Sequence, residues 1–329
     1  RTVEVDGEIF EASRGVVLNP GTSPAAPGID GLADTPYWTN RDILRIESVP
    51  GSLAVIGGGP IGAELAQALS RFGVRVTVLE VGDRILGPEE PESSKLLADV
   101  FAHEGIQVLT GITIDSVSYD DGRFRISLEA QQIDAEKLLV AAGRRPNLGD
   151  LGLDAVGLDP SAHSIEVDER MRAGEGLWAI GDVVGKGAFT HVSMYQSAIC
   201  VRDILGRDGP TADYRALPHV TFTDPEVGSV GMTEKQARAA GLNVRVGLTD
   251  LASSTRGWIA KGQGLIKLVE DADRGVLVGA TAVGPSGGEM LSMLTTAVHA
   301  EVPTDTLRSM IYAYPTFHRA VESALKDLS

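Results

Sequence analysis

The chain has 329 residues, of which 43% are hydrophobic, and it carries a formal net charge of −16 at pH 7. A chain of this length can bury a sizeable core and is expected to form two or three domains. Because nucleic acids and anionic membranes are bound through Lys and Arg, the excess of acidic residues argues against both as main partners and favours a small soluble partner.

Cysteine usage and hydropathy exclude further classes of protein. Cys200 is the only cysteine, so no disulfide, redox dithiol or cysteine-based metal site can form within these residues, and no metal site is predicted. No apolar run approaches the ~18 residues that a membrane-spanning helix needs. The charged opening RTVEVDGEIF lacks the apolar region of a signal peptide. The sequence therefore predicts a cytoplasmic protein with no membrane partner.

The strongest pattern is LAVIGGGPIGAELAQALSRFGVRVTVLE, at residues 53–80. An apolar run leads into a glycine turn, then into apolar residues at helical spacing, and then into a second apolar run that ends at Glu80. This order predicts a strand, a turn, a helix and a strand. Such a unit binds dinucleotides when its turn reads G-x-G-x-x-G.

The spacing of the glycines gives each of them a role in that unit. Gly57 permits the tight turn, Gly59 lets the backbone approach a pyrophosphate, and Gly62 lets the helix pack closely on the strand. Glu80 lies where an acidic side chain binds the adenosine ribose hydroxyls, and its charge disfavours the 2′-phosphate of NADP, so NAD is the predicted ligand. A glycine turn in an ordinary α/β protein is the alternative, but it does not account for the acid and the second strand in register.

The segments that follow do not continue a simple dinucleotide domain. Alternation in period two around the sequence DDG at residues 120–122 predicts a β-hairpin. The run KLLVAAG predicts a buried strand that ends at Gly143, where cofactors dock on parallel sheets. From spacing alone, Arg144 and Arg145 are interpreted as a solvated pair after a turn.

Three later segments have ordinary structural interpretations when each is taken alone. Asp182, in LWAIGDV, favours an Asx turn after a strand. The segment VSMYQSAICVRDIL, which contains Cys200, reads as a core-facing helix. A helical stripe near the C-terminus is expected to pack into the core of its own domain; its residues are Met290, Leu291, Leu294 and Val298.

Four segments together resemble a known family. VIGGGPIGAELA…VTVLE, LLVAAGRRPN, LWAIGDV and VTFTDPEVGSVGMTE follow the order found in the pyridine nucleotide-disulfide oxidoreductases. These flavoproteins include dihydrolipoamide dehydrogenase, glutathione reductase and mercuric reductase, and the resemblance covers essentially the whole chain. It implies an α/β fold in which a Rossmann-like NAD-binding domain is inserted into a FAD-binding domain, followed by an α+β dimerisation domain.

The resemblance also implies domain boundaries. They are 1–35 for the C-terminal part of the first FAD-domain segment, 36–147 for the NAD-binding domain, 148–217 for the second FAD-domain segment and 218–329 for the dimerisation domain. The residues given are therefore expected to begin partway through the FAD domain. In the dimerisation domain, helices are expected near 233–240, 286–301 and 304–311.

Several residues match positions of the family's cofactor sites. The NAD site implied by the resemblance comprises Gly57, Gly59, Gly62, Glu64, Glu80 and Gly143. In it, Glu64 lies near the nicotinamide and Gly143 closes the pocket. Asp182 resembles the aspartate that hydrogen-bonds the FAD ribityl chain, and Thr190 falls where a backbone N–H meets the flavin.

The chain departs from the family pattern at several places. The family's first G-x-G-x-x-G and its redox pair C-x4-C are both absent, and Asn19-Pro20-Gly21 replaces Ala-Thr-Gly. The family's acid-base pair is a histidine before Pro-Thr and a glutamate further on. Here Tyr314 precedes Pro-Thr and Arg319 falls at the glutamate position. A phenol with an ordinary pKa near 10 is a poor replacement for that histidine. His318 and Glu322 lie one helical turn apart and are expected to form a surface pair.

Two functions from different classes follow. In the first, the chain is a flavoenzyme with FAD and NAD as cofactors, which passes electrons from NADH through the flavin to a small-molecule acceptor such as a quinone, a metal ion, a dye or a disulfide. In the alternative, it is a non-catalytic remnant that binds NAD, forms a dimer and lacks FAD. The resemblance further implies a homodimer in which Tyr314 lies near the partner's flavin as a shape and hydrogen-bonding element.

Overall fold

The computed structural model describes residues 2–329, and its architecture is mixed α/β. The first elements are β1 (Thr2–Val5), β2 (Glu8–Glu11), β3 (Val16–Leu18), β4 (Thr22–Pro24) and α1 (Asn40–Ile43). They are followed by β5 (Ser52–Ile56), α2 (Pro60–Arg71), β6 (Arg75–Leu79), α3 (Pro91–His103), β7 (Gln107–Leu109), β8 (Ile114–Asp120), β9 (Arg123–Leu128), β10 (Gln131–Ala135), β11 (Lys137–Val140) and β12 (Arg144–Pro146). The remaining elements are β13 (Arg172–Gly174), β14 (Leu177–Ala179), α4 (Thr190–Ile204), β15 (Pro218–Thr221), β16 (Glu226–Gly231), α5 (Glu234–Ala239), β17 (Val244–Asp250), α6 (Thr255–Ala260), β18 (Leu265–Asp271), β19 (Val276–Gly284), α7 (Gly287–His299), α8 (Thr304–Ser309) and α9 (His318–Asp327).

The first of two compact units is discontinuous in sequence and comprises residues 2–24 and 144–214. In its sheets β1 pairs with β2, β4 pairs with β12, and β14 lies between β13 and β3. Helix α4 packs Cys200 into one of the cores, as the sequence predicts. Strands β3 and β14 are parallel and end together at Leu18 and Ala179. The residues that follow these two strands therefore meet at one sheet edge.

The second unit comprises residues 25–143 and 215–329, and its first part contains a parallel sheet. The strand order is β11-β5-β6-β7. Strand β5 is buried along its whole length, which explains why its sequence is a continuous apolar run rather than an alternating one. Helix α2 buries Ala63 and Ala66 in the core that includes β5. A separate antiparallel sheet, β10-β9-β8, follows in sequence.

The second part of this unit is a five-stranded antiparallel sheet of order β15-β16-β19-β18-β17. Helices α7 and α9 contribute to its core. The stripe on α7 lies inside that core, as expected for a helix that packs within its own domain; the buried residues are Met290, Leu291, Leu294 and Val298.

Most of the local predictions are confirmed. The hairpin is formed by β8 and β9, which pair antiparallel around residues 121–122, and the three helices expected in the C-terminal third are α5, α7 and α8. The α/β class is confirmed as well. The predicted boundary 1–35 assigns Leu32 to the first FAD-domain segment. In the structure, Leu32 lies in the second unit and packs there with Val117 and Phe124. The four domain boundaries themselves stay a prediction.

A buried lysine joins the two parts of the second unit. Lys267, on β18, lies 2.9 Å from Glu90, 2.8 Å from Glu92 and 2.9 Å from Glu234. Glu90 and Glu92 belong to the start of α3, and Glu234 begins α5. Burial on its own would lower the pKa of Lys267, but hydrogen bonds to the three carboxylates outweigh it and raise the pKa above the ordinary value. The ammonium group therefore stays charged and holds α3 against the antiparallel sheet.

A second polar contact lies beside it. Glu89 is buried and accepts hydrogen bonds from Ser229 and, over 2.7 Å, from the ring of His219. Burial would raise the pKa of Glu89, but the hydrogen bond and charge of His219 and the hydroxyl of Ser229 reverse that effect and lower the pKa. The carboxylate form of Glu89 is thus the form that stabilises this contact.

Replacement of the buried lysine tests its contribution to stability. In Lys267→Met, Glu90 stays buried without its cation, and we expect the free energy of unfolding to fall by about 3–5 kcal/mol in urea titrations. The matched control is Lys95→Met, which removes the exposed ion pair with Asp99 and should change stability by less than about 1 kcal/mol. Adding Glu90→Gln to Lys267→Met should recover part of the loss. Equal losses in the two lysine variants would contradict this role.

The pH dependence of stability tests the Glu89 contact. Because the folded-state pKa of Glu89 is lowered, its stabilisation is fully present above the ordinary value of 4.5 and is lost as the pH falls through the lower, folded value. Glu89→Gln should therefore be less stable than the unmutated protein at pH 7. The difference between the two should shrink as the pH falls below 4.5. A difference that stayed constant with pH would show that the charge of Glu89 is not involved.

Candidate functional site

The glycine turn after β5 is shaped by two close backbone approaches. Gly57 has φ of +107°, and a Cβ at this position would lie 2.5 Å from the carbonyl oxygen of Ala141. A Cβ on Gly62 would overlap the carbonyl oxygen of Gly57. A side chain at Gly57 would displace the backbone at Ala141, and one at Gly62 would displace α2 from the turn. The turn therefore requires glycine at both positions, as the sequence predicts.

Gly59 has the opposite environment. It is the N-cap of α2, followed by Pro60 in the first turn, and no side chain caps the helix. A Cβ on Gly59 would meet no heavy atom within 4 Å. The helix start is therefore open at the Cβ position of Gly59 and has no side-chain cap, and an uncapped helix N-terminus is the arrangement that binds a phosphate group.

Glu80 is fixed beside this turn by backbone donors. Its Oε2 accepts a hydrogen bond from the Gly58 N–H over 2.6 Å, and its Oε1 accepts one from the Gly82 N–H over 2.7 Å. A carboxylate oxygen has two lone pairs, so each oxygen keeps one for a ligand hydroxyl. The parallel sheet thus places the acid and the glycine turn at the carboxyl ends of two adjacent strands.

Two other predicted residues lie in the same unit. Glu64, on α2, accepts a hydrogen bond from the Phe222 N–H over 2.8 Å. Gly143 follows β11 with φ of +139°, and its carbonyl oxygen accepts a hydrogen bond from the Ala25 N–H over 3.0 Å. The structure therefore gives Glu64 a fixed position through a backbone contact that the sequence pattern does not reveal.

Asp182 lies in the first unit, in the turn after β14. Thr22 Oγ1 donates to Asp182 Oδ2 over 2.6 Å, and Arg144 Nε donates to Thr22 Oγ1 over 2.6 Å. The Arg144 Nε is also 3.9 Å from Asp182 Oδ2. The interpretation of Arg144 as a merely solvated residue is therefore wrong, because its side chain orders Thr22 and Asp182. No described residue donates a hydrogen bond to Asp182 Oδ1, which leaves an acceptor for a ligand hydroxyl.

The departure at residues 19–21 has a structural counterpart. A Cβ on Gly181 would overlap Asn19 Oδ1, so the Asn19 side chain packs directly against the turn that carries Asp182. Thr190 is the first residue of α4, and no side chain caps that helix. The N–H of Thr190 lies in the first turn, where backbone N–H groups have no i−4 carbonyl within the helix, which fits the predicted backbone contact at Thr190.

The helix after the Tyr-Pro-Thr motif contains ion pairs other than the expected pairing of His318 with Glu322. Tyr314 is 66% exposed, and the Arg319 guanidinium lies 5.7 Å from the centroid of its ring. Glu322 binds Arg319 over 3.3 Å and Lys326 over 2.7 Å. The predicted pairing of His318 with Glu322 is wrong, because the longer cationic side chains on the same helix reach the carboxylate.

The described residues give little support for a reactive thiol or a metal site. Cys200 is buried, and burial with the charge of Asp203 raises the pKa of its thiol to about 11. A thiol with so high a pKa is a poor nucleophile at neutral pH. Residues 2–329 contain no group of three or more potential metal ligands, and none of their helices is long and apolar enough to cross a membrane.

Comparison with known proteins identifies the class. The family model described as pyridine nucleotide-disulphide oxidoreductase matches residues 1–197. The model of the dimerisation domain of the same family matches residues 217–325. The chain belongs to the pyridine nucleotide-disulphide oxidoreductase family, whose members are FAD-containing and NAD(P)-dependent.

Individual relatives agree with this assignment. The chain is 31% identical to the mercuric reductase of Bacillus cereus over its whole length, and it covers 54% of that protein. It is 33% identical to the dihydrolipoyl dehydrogenase of Thermus scotoductus, of which it covers 72%. Among solved structures, the HOCl-induced flavoprotein disulfide reductase RclA from Escherichia coli superposes with a TM-score of 0.88 at 27% identity, over 99% of this chain and 75% of that one. The chain thus spans little more than half the length of the mercuric reductase.

The residues present fit both cofactors of the family. Gly59 and Glu80 offer a dinucleotide an open helix start and an acid with free lone pairs, and Asp182 offers a free carboxylate oxygen. Sequence reasoning missed Arg144 and Thr22 as supports of Asp182. The signal was available for Arg144, because the motif LLVAAGRRPN that carries the resemblance contains it.

Alanine substitutions distinguish Gly62, which is tightly packed, from Gly59, which has open space at its Cβ position. Gly62→Ala should destabilise the fold by about 1–3 kcal/mol or more, since the new methyl group would overlap the Gly57 carbonyl oxygen. Gly59→Ala has open space and should leave the unfolding midpoint nearly unchanged. Thermal unfolding of both variants measures the difference. A stable Gly62→Ala variant would mean that α2 does not pack as closely as described.

Proposed function

We propose that the chain is part of a FAD-dependent NAD(P)H oxidoreductase that transfers electrons from NADH, through flavin, to a small-molecule acceptor. The observation that carries this proposal is the Glu80 carboxylate, fixed by the N–H groups of Gly58 and Gly82 beside an open helix start. A glycine turn that served only as a turn would not need an acid fixed at the end of the adjacent strand. No observation favours the non-catalytic alternative without FAD.

The residues of the second unit bind and orient the dinucleotide in this proposal. The backbone at Gly57, Gly59 and Gly62 accommodates the pyrophosphate at the start of α2. Glu80 accepts hydrogen bonds from the adenosine ribose. Glu64, fixed by the Phe222 N–H, lies near the nicotinamide, and Gly143 closes the pocket without a side chain in the way.

The residues of the first unit hold the flavin. Asp182 accepts a hydrogen bond from the ribityl chain through its free oxygen, while Thr22 and Arg144 keep its other oxygen in place. The N–H at Thr190 meets the flavin. When bound, the flavin supplies the redox chemistry, and the protein supplies orientation and exclusion of water.

For the electron acceptor we propose a chemical class rather than one compound. Cys200 is the one cysteine of the sequence, and its buried thiol with a pKa of about 11 is unsuited to exchange. These residues contain no dithiol relay, so a bound flavin would supply electrons directly to an acceptor that needs none. A quinone, a metal ion or a dye needs no such relay, and a disulfide acceptor would need thiols from elsewhere.

Cofactor preference tests the nucleotide site. We expect NADH to bind at least about tenfold more tightly than NADPH, because two like charges ~6 Å apart at an effective dielectric of ~20 repel by about 3 kcal/mol. Glu80→Ala should weaken NADH binding and bring the affinities for NADH and NADPH closer together, as measured by fluorescence titration. Asp99→Ala, which removes an exposed carboxylate on α3, is the matched control and should leave the ratio unchanged. Equal affinities of the unmutated protein for the two cofactors would refute the role of Glu80.

Oligomeric state tests the proposed homodimer. The dimerisation-domain match covers residues 217–325, and Ile311 is 99% exposed beside the exposed Tyr314. Because a two-fold interface is more hydrophobic than ordinary surface, Ile311→Asp should convert a dimer into a monomer in sedimentation velocity experiments. The control is Leu44→Asp, at an exposed apolar residue just after α1, which should remain dimeric. A monomeric unmutated protein at micromolar concentration would overturn the proposal.

A further inference from the structure

A cleft lies at the amino-terminal edge of the parallel sheet, at the opposite end of β5 and β6 from the glycine turn and Glu80. Its volume is about 460 Å³. The first residues of β5, β6 and β7, namely Ser52, Arg75 and Gln107, form one side, and strands β9 and β10 form the other through Arg123 and Asp134. Pockets of this size accommodate small molecules.

The floor and the rim of this cleft differ in chemistry. Leu53, Val76 and Ala135 lie beneath the cleft and are almost fully buried, so the partly buried Ile133 is the lining residue whose apolar side chain a ligand can reach. The rim is polar. Gln107 lies on it with an amide that accepts a weak hydrogen bond from Thr77 over 3.3 Å through Oε1, and its NH₂ group keeps its capacity to donate.

The charges on the rim favour an anion. Among the described residues, no carboxylate lies within ion-pair distance of Arg75 or Arg123, whereas nearby Arg71 binds both Glu104 and Asp224. The cleft therefore carries two guanidinium groups without a carboxylate partner among residues 2–329, in a chain with a net charge of −16. The acid on the rim, Asp134, already accepts a hydrogen bond from the Gln132 amide over 2.8 Å.

We propose that this cleft binds a small anion with an apolar body, such as an aryl phosphate or aryl carboxylate. Arg75 and Arg123 donate charge-assisted hydrogen bonds to the anionic group, because the planar guanidinium matches phosphate and carboxylate oxygens. The body of the ligand packs against the side chain of Ile133. The amide of Gln107 contributes a further donor.

This site is separate from the nucleotide site. Strands β5 and β6 each contain five residues, so the two edges of the sheet are about 17 Å apart at ~3.3 Å per residue. An anion in the cleft and a dinucleotide on the glycine turn can therefore be bound at the same time. The proposal does not depend on the proposed oxidoreductase function.

Calorimetric titration with phenyl phosphate tests the proposal. We expect saturable binding at one site, with the same affinity in the absence and presence of saturating NADH. Arg75→Gln and Arg123→Gln should each weaken the binding of phenyl phosphate about tenfold, because each variant loses one charge-assisted hydrogen bond. Inorganic phosphate, which lacks the apolar body, should bind at least about tenfold more weakly than phenyl phosphate.

The matched control is Arg41→Gln, at an exposed arginine on α1 outside the cleft, which should bind phenyl phosphate like the unmutated protein. All variants should retain their unfolding midpoints and their NADH affinity. The proposal is overturned if phenyl phosphate does not saturate, if NADH displaces it, or if the cleft variants bind it as well as the control does. Failure of the oxidoreductase proposal would show instead as absent NADH binding.

Discussion

The packing of helix α2 on strand β5 is the constraint on which the candidate site depends. It requires glycine at position 62, because the helix backbone lies against the Gly57 carbonyl group. The same helix reaches the C-terminal part of the chain, where Gln67 exchanges hydrogen bonds with the backbone of Asp224 and Glu64 accepts the Phe222 N–H. One helix therefore fixes both the glycine turn and the segment that holds Glu64.

Buried polar contacts complete this arrangement. Lys267 and Glu89 tie the start of α3 to the antiparallel sheet at two neighbouring points. Removing these groups from water is costly, and the contacts stabilise the fold only because every charge has a partner. These contacts also constrain geometry, because a buried ion pair is stable in only a few arrangements of its two groups. We infer that these contacts set the orientation of the parallel sheet relative to the antiparallel sheet within the second unit.

Local patterns predicted the parts of the structure that depend on local chemistry. The glycine turn, Glu80 and the hairpin at residues 120–122 follow from short-range spacing, which backbone sterics and strand periodicity dictate. The Lys267 cluster could not be predicted this way, because its partner Glu90 is 177 residues distant in sequence. The pairing of His318 with Glu322 was wrong for a related reason. Helical spacing permits several pairs on one face, and side-chain length and charge decide among them.

The glycine turn of the candidate nucleotide site offers a ligand backbone groups rather than cationic side chains. A dinucleotide is itself an anion, and a net charge of −16 opposes its approach. The turn GGGPIG contains no cationic side chain, so the N–H groups and the dipole of α2 are the donors available to a pyrophosphate. Because Glu80 is held by two of the neighbouring N–H groups, its charge is partly compensated before any ligand binds. In the proposed function, this compensation lets a carboxylate select the ribose while the helix start holds the pyrophosphate.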